Sequence, residues 1–356
     1  MGSKWEGAGL LAATTIGAGI FTLPYMTVRA GWGTAFFYLV ILSALLIYAH
    51  GLYARTLNIS GQTTLTGAAG KYLGPMGAAL GVLAVVGGLL LTLLVYIILA
   101  TRFISVLLPA INPAFIAIGF WFLGSLPIFL NTRRLSWLET LGVAAMALII
   151  VIIAVGANDL SLIFKSPAAT GEIFLPFGHL LFALAAWTAV PPILELEKKN
   201  RQASIAWGTV ISAILYAIFI LAIVGSASLI TPDTLSGLTA WPGWKVILLI
   251  IFGLFAIWTS YVPIGREAMG ELHKNLPVTQ RFSGVLVIGL PIIFFLLGAT
   301  NVVAIVGLAG GIFVALQYIL IAWVGRKAAG PSLYTWLIVP AFILGMVYEI
   351  YNFVIH

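Results

Sequence analysis

Apolar positions along this chain do not recur with the period of a half-buried helix or strand. They run on without a break for about 20 residues at a time, the length a helix needs to cross hydrocarbon. Eleven such segments are legible, at 5–29, 32–54, 75–106, 113–130, 135–157, 173–197, 203–229, 244–265, 282–299, 301–324 and 332–354. The alternation of a membrane β-barrel strand is absent, so the pattern predicts an all-α polytopic membrane protein, with 1–356 forming one transmembrane domain. The third segment is long for a single crossing and is expected to tilt. The connections are short, except for Asn58–Gly74 and Ser228–Gly243, which are expected as loops on opposite sides.

Composition points the same way. Of 356 residues, 62% are apolar and 8% are charged, against about 25% charged in a soluble domain. A net charge of +7 would suit a nucleic-acid partner, but the basic residues sit in ones to threes at segment ends, where topology signals belong. With a cytoplasmic N-terminus and eleven crossings, every Lys and Arg except Arg29, Arg102, Lys165 and Lys245 falls on the inner side. The chain therefore reads as a multi-pass protein of the cytoplasmic membrane with its C-terminus outside and the lipid bilayer as its surroundings. The run after Lys4 lacks an evident cleavage site and is read as a retained first helix. There is no cysteine, which removes disulfides and thiolate metal sites.

Two segments carry interruptions. Thr14–Phe21 reads TTIGAGIF, with Gly17 and Gly19 in the middle of the first crossing. Glycine in a helix interior costs about 1 kcal/mol relative to alanine. Small residues also let a neighbouring helix approach closely, which is the plainer explanation of the motif. Phe182–Lys199 reads FALAAWTAVPPILELEKK, where Pro191 and Pro192 remove two amide donors. A break near Ala186–Val190 is expected there, followed by a short second half-helix; a simple kink is the alternative. These are the first and sixth segments, equivalent positions in two units of five helices. Interrupted segments at matching positions point to a transporter binding site. Half-helix amides favour a carboxylate, and half-helix carbonyls favour a cation.

TTIGAGIFTLPYMTVRAGW resembles the first helix of the amino acid/auxin permease family, within the amino acid–polyamine–organocation superfamily. FALAAWTAVPPILELEKK is similar to that family's sixth helix, and GQTTLTGAAGKYLGP to the loop before its third. The count of eleven resembles the bacterial aromatic amino acid permease branch. The resemblance covers essentially the whole chain. It implies the leucine-transporter fold, with inverted repeats at 5–158 and 173–324 and an extra helix at 331–356. It also implies secondary active transport of amino acids, neutral and extending to aromatic ones, by alternating access coupled to H+ or Na+, with no other cofactor.

The resemblance further implies site residues. The substrate carboxylate would meet amides around Gly17, Ala18 and Gly19, and its ammonium the carbonyls near Thr14, Ala185 and Ala186. Trp187 and Thr188 would shape the side-chain pocket, with Tyr96 reaching in. A sodium ion would take the hydroxyls of Thr259 and Ser260 with the carbonyls of Thr15 and Ala18. The plainer alternatives are a Tyr96 satisfied by backbone, a packing role for Trp187, and Thr259 and Ser260 bonded to their own helix. Proton-coupled relatives with a lysine on the fifth helix find no counterpart in ETLGVAAMALIIVIIAV, which leaves a carboxylate, Glu139, as the candidate proton site. Glu195 and Glu197 beside Lys198 and Lys199 read as an interfacial cluster. Arg266, Glu267 and Glu271 read as surface pairing, and Glu349 is expected near the outer surface.

No GxxxxGK[ST] phosphate loop and no HExxH ligand cluster occur, and the four histidines are scattered, so an ATP-driven pump or a membrane enzyme is not expected. An amino acid sensor on a transporter scaffold and a passive channel are the other functional readings.

Overall fold

A computed structural model of the chain describes residues 4–129, 146–152, 154, 172–196, 199–227, 229–238, 241–331 and 333–355. The described residues are helical, joined by short turns. Helix α1 spans Lys4–Thr15 and α2 Leu23–Ala30; α3 is Trp32–Ser60, α4 Leu65–Leu107 and α5 Pro113–Ser125. The sixth crossing is split into α6, Leu175–Leu184, and α7, Val190–Leu196. Then follow α8 (Arg201–Val224), α9 (Gly243–Asn275), α10 (Gln280–Leu296), α11 (Val302–Gly307), α12 (Ala315–Ala329) and α13 (Leu333–Ile355). A π-helical stretch, Leu308–Val314, joins α11 to α12 in one continuous rod.

Among the described residues, seven helical segments are long and apolar enough to cross a membrane, and α1 with α2 make an eighth bent by 53°. The segments Pro113–Phe129 and Gln280–Leu296 are apolar but shorter. One end of the bundle carries Lys4 and the other Arg102, and these names are used for the two ends below.

Helix boundaries follow local chemistry. Thr64 accepts from the Gly67 amide, Asn112 from Ala114 with Pro113 in the first turn, Thr279 from Phe282 and Asn301 from Ala304. Gly61, at φ 69°, closes α3 in the left-handed conformation that glycine adopts without strain.

The expected Asn58–Gly74 loop is corrected. Helix α3 runs on to Ser60, and Leu65–Leu73 is helical, set off from the rest of α4 by Gly74 at φ 73°. Burial of Leu65, Ala68 and Ala69 and the Lys71 Nζ bond to the Ser60 carbonyl (2.7 Å) outweigh the loop-like composition. Helix α9 also continues ten residues beyond its expected end, past Pro263.

The core lies along α4, whose stretch from Leu93 to Ala100 is buried throughout. Helix α1 packs on α8 through Gly208, where an added Cβ would lie 2.8 Å from the Ala8 carbonyl and from Leu11 Cβ. The Ser204 hydroxyl donates to the Lys4 carbonyl beside it. Gly208→Leu should therefore force the two helices apart and lower stability by about 1–3 kcal/mol, seen as a lower melting temperature of the detergent-solubilised protein.

Candidate functional site

Helix α1 stops where its last polar side chains turn on themselves: the hydroxyls of Thr14 and Thr15 donate to the carbonyls of Leu10 and Leu11. Gly17 is extended, and a tight turn from Ala18 to Thr22 leads into α2. No side chain caps that turn, so its first amides gain no partner from a cap. Gly19 is demanded by contact, since a Cβ there would lie 2.8 Å from the Cα of Ala183 on the other broken crossing. A Cβ on Gly17 would lie 3.2 Å from the Tyr96 hydroxyl and 3.7 Å from Ser260 Oγ.

Helix α6 stops at Leu184. Ala185 and Ala186 leave the helix, Trp187–Ala189 form a single tight turn, and Pro191 and Pro192 open α7, where their missing amides cost little. The break thus falls just before the prolines, beginning one residue earlier than expected.

Three side chains that sequence reading did not single out hold these breaks. Tyr216 of α8 places its hydroxyl 2.7 Å from the Thr15 carbonyl and 2.8 Å from the Ala183 carbonyl, bridging both interruptions. Gln317 of α12 accepts from the Trp187 indole N–H at 2.6 Å and donates to the Ala84 carbonyl of α4 at 2.9 Å. The Tyr318 hydroxyl faces the backbone of Ala186 and Trp187 and lies 2.7 Å from His50 Nε2 of α3. A lone glutamine in ALQYILI was the signal available for Gln317, because polar groups in an apolar crossing demand partners. The tyrosines carry no such signal, being ordinary constituents of membrane helices.

The breaks wall a cavity of about 70 Å³ whose lining includes Thr14, Thr15, Gly17, Ala18, Gly19, Tyr96, Ala185, Trp187, Thr188 and Gln317. Ala186, buried, lies between two of these residues. Among the described residues, no charged side chain lines it. A second cavity of about 210 Å³ shares Thr14, Leu89, Thr188 and Ile264 with the first and extends past Thr259, Ser260 and Pro263 to Glu267.

Ser260 interacts with the Tyr96 hydroxyl, so the residues assigned to substrate and to cation meet beside Gly17. The Thr259 hydroxyl bonds the carbonyls of Phe255 and Ala256 on its own helix. Pro263, four residues on, has no amide to give the Thr259 carbonyl, which is left without its helical partner. Trp187 also packs edge-on against Tyr53.

Of the acidic residues, Glu139 and Glu197 lie outside the described residues, and Glu195 is exposed. The expected surface pairing on α9 is corrected. Arg266 donates to the carbonyls of Pro127 and Ile128 at the end of the fourth crossing, whereas Glu271 is buried and accepts from Asn275. Glu349 is corrected as well: it lies toward the Arg102 end, but it is buried, at 4% exposure, not on the surface.

Comparison with known proteins decides the family. The model for the transmembrane amino acid transporter protein family matches residues 1–231, about two thirds of the chain. The chain belongs to that family. Among solved structures the transporter is similar to MhsT, crystallised in complex with L-phenylalanine, with 12% identity, a TM-score of 0.72, and coverage of 99% of this chain and 98% of that one. At that identity the likeness speaks for the fold, and the leucine-transporter architecture expected from the resemblance is the one observed. No curated protein matches. Membership of the family makes amino acid transport the function class of this chain.

Replacing Gln317 with Leu strands the Trp187 indole N–H in a dry interior, which costs about 1–3 kcal/mol. If Trp187 forms the substrate pocket, amino acid affinity in Gln317→Leu should fall by about 5- to 150-fold, measured by calorimetric titration of the purified protein.

Proposed function

We propose that this transporter moves a neutral amino acid, with large and aromatic ones included, across the cytoplasmic membrane by alternating access, coupled to H+ or Na+. The observation that carries the reading is the pair of interruptions facing one uncharged cavity, joined by Tyr216. Amides at Gly17, Ala18 and Gly19 would take the substrate carboxylate. Carbonyls of Thr14, Ala185 and Ala186 would take the ammonium. The Tyr216 hydroxyl has one hydrogen for two carbonyls, so one of them keeps an unmet demand that a cationic group satisfies. A charged substrate side chain would find no counter-charge among the described lining residues, and burying it unpaired is costly. Phe182, Trp187 and Val314 on the wall suit an apolar one. MhsT binding L-phenylalanine supports an amino acid of that kind.

At about 70 Å³ the central cavity is well below the ~300–1,000 Å³ of ordinary ligand pockets. Substrate entry therefore requires the halves to move, which supports alternating access. The adjoining cavity leads toward the Lys4 end, taken as cytoplasmic from the basic-residue bias. Oxygen ligands for a coupling ion would come from Ser260 and the released Thr259 carbonyl on the adjoining cavity and from the Thr15 and Ala18 carbonyls on the central one.

Proteoliposomes loaded under a sodium or a pH gradient should accumulate a subset of neutral amino acids above equilibrium. Flux that stops at equilibrium would instead mean a channel, and binding without flux a sensor. Gly17→Leu should abolish binding, because its side chain would drive into Tyr96 and Ser260. Gly9→Leu, on the same helix with nothing within 4 Å of an added Cβ, should bind as wild type. A folded Gly17→Leu protein with wild-type affinity would refute the site.

A further inference from the structure

Helix α13 is the most peripheral crossing, with 22% of its apolar window buried. Its buried face is a seam of Thr335, Ile338, Phe342, Gly345 and Glu349, spaced three and four residues apart. Four of these are small or apolar. Glu349 is a carboxylic acid, 4% exposed, and its Oε1 has no hydrogen-bond partner.

Three glycines make room for it. A Cβ on Gly178 of α6 would collide with Glu349 Oε1, one on Gly307 of α11 would lie 2.7 Å from Oε2, and one on Gly311 of the π stretch would collide with Glu349 Cγ. A Cβ on Gly310 would collide in turn with the Gly178 carbonyl, so α6 and the π stretch touch backbone to backbone beside the acid. An ionised carboxylate in this dry cage would be unpaired, at a cost of several kcal/mol or more. The group fits the cage when it carries a proton.

Among the described residues, no titratable group pairs with Glu349 Oε1. On α6, the ring nitrogens of His179 lie against the carbonyls of Leu175 and Val303. Glu172, just before α6, pairs with Arg29. The α11 and π segments, from Val302 to Val314, contain no titratable residue; α12, which also packs on α13, carries Tyr318, bonded to His50, and, in its last turn, Arg326, over Trp336, and Lys327; on α13 the neighbour is Tyr348. Gly178 is one turn from Phe182, and Gly311 one turn from Val314; both of those residues line the central cavity.

We propose that Glu349 is a proton-binding site of the transport cycle, loaded while α6, the π stretch and α13 are closed together. The acid releases its proton to water at the Arg102 end only when those elements part. This names the coupling ion and rests on the transporter reading above.

Two measurements test it on the full chain. Infrared difference spectra of the reconstituted protein, taken from acid to alkaline pH, should contain the carbonyl stretch of a buried protonated carboxyl, lost in Glu349→Gln. In proteoliposomes under a pH gradient without sodium, wild type should accumulate amino acid above equilibrium, and Glu349→Gln should lose that accumulation. Whatever exchange the variant retains should no longer vary with pH. An infrared band unchanged in Glu349→Gln, wild-type pH-driven accumulation by that variant, or wild-type accumulation driven by sodium alone would each overturn the proposal while leaving the transporter reading intact. Absence of any uptake by wild type would defeat the transporter reading, and the infrared result would still decide the protonation of Glu349.

Discussion

A carbonyl released from a helix inside a membrane has no water to turn to, so it must find a donor in the protein. That constraint governs the centre of this molecule. Breaking α1 at Thr15 and the sixth crossing at Leu184 releases carbonyls from both, and the single Tyr216 hydroxyl lies within hydrogen-bond distance of one from each, with one hydrogen to give. That shared donor ties the two breaks side by side. Gly19 permits the approach, since any side chain there would strike the Ala183 backbone. The contact of α8 with α1 through Gly208 and the placement of Tyr318 against the Ala186 backbone serve the same geometry.

Close approach through glycine recurs around the site, and it sets the reach of polar side chains. A Cβ on Gly88 would lie 2.8 Å from Gln317 Nε2, so the absence of one lets Gln317 pass over α4 to the Ala84 carbonyl a turn away. The other end of the same amide holds the Trp187 indole. A residue in the second break is thus positioned from α4 through α12, three elements that share no local sequence. In lipid, where apolar contact supplies little net drive between helices, tight backbone approach and hydrogen bonds of this kind carry association.

Much of the plan was legible in the sequence because membrane helices announce themselves by length and by interruption. TTIGAGIF and the Pro191–Pro192 pair located both breaks to within a residue or two, and the residues around them do line one cavity. Thr64 capping a helix in a Gly- and Thr-rich stretch was hidden, because a single cap and three buried apolar residues outweighed a composition that reads as loop. Tyr216 and His50 were hidden for a different reason. Their roles are set by which carbonyl or hydroxyl lies across a helix interface, and no spacing along the chain encodes that. Glu349 was visible as an acid, but its environment depends on glycines contributed by α6 and by the α11–π rod.

Charge is distributed accordingly. At the Arg102 end, where water is available, Arg29 pairs with Glu172, and Arg102 lies 3.6 Å from Asp233 while bonding the Thr300 carbonyl. At the Lys4 end Arg266 bonds the Pro127 and Ile128 carbonyls and Glu267 borders the larger cavity. Between these ends the described polar lining of the central cavity is backbone dipoles, hydroxyls, the Trp187 indole and the Gln317 amide. A carrier must release what it binds, and dipoles at a break lose their grip when the backbone shifts, whereas a fixed charge would hold a counter-charge through every conformation. An ionisable group is tolerable near such a site only if its charge appears and disappears with the conformation. The proposed role of Glu349 fits that condition: the glycines it touches on α6 and the π stretch lie one helical turn from Phe182 and Val314 of the cavity wall, and its cage offers an ionised carboxylate no partner.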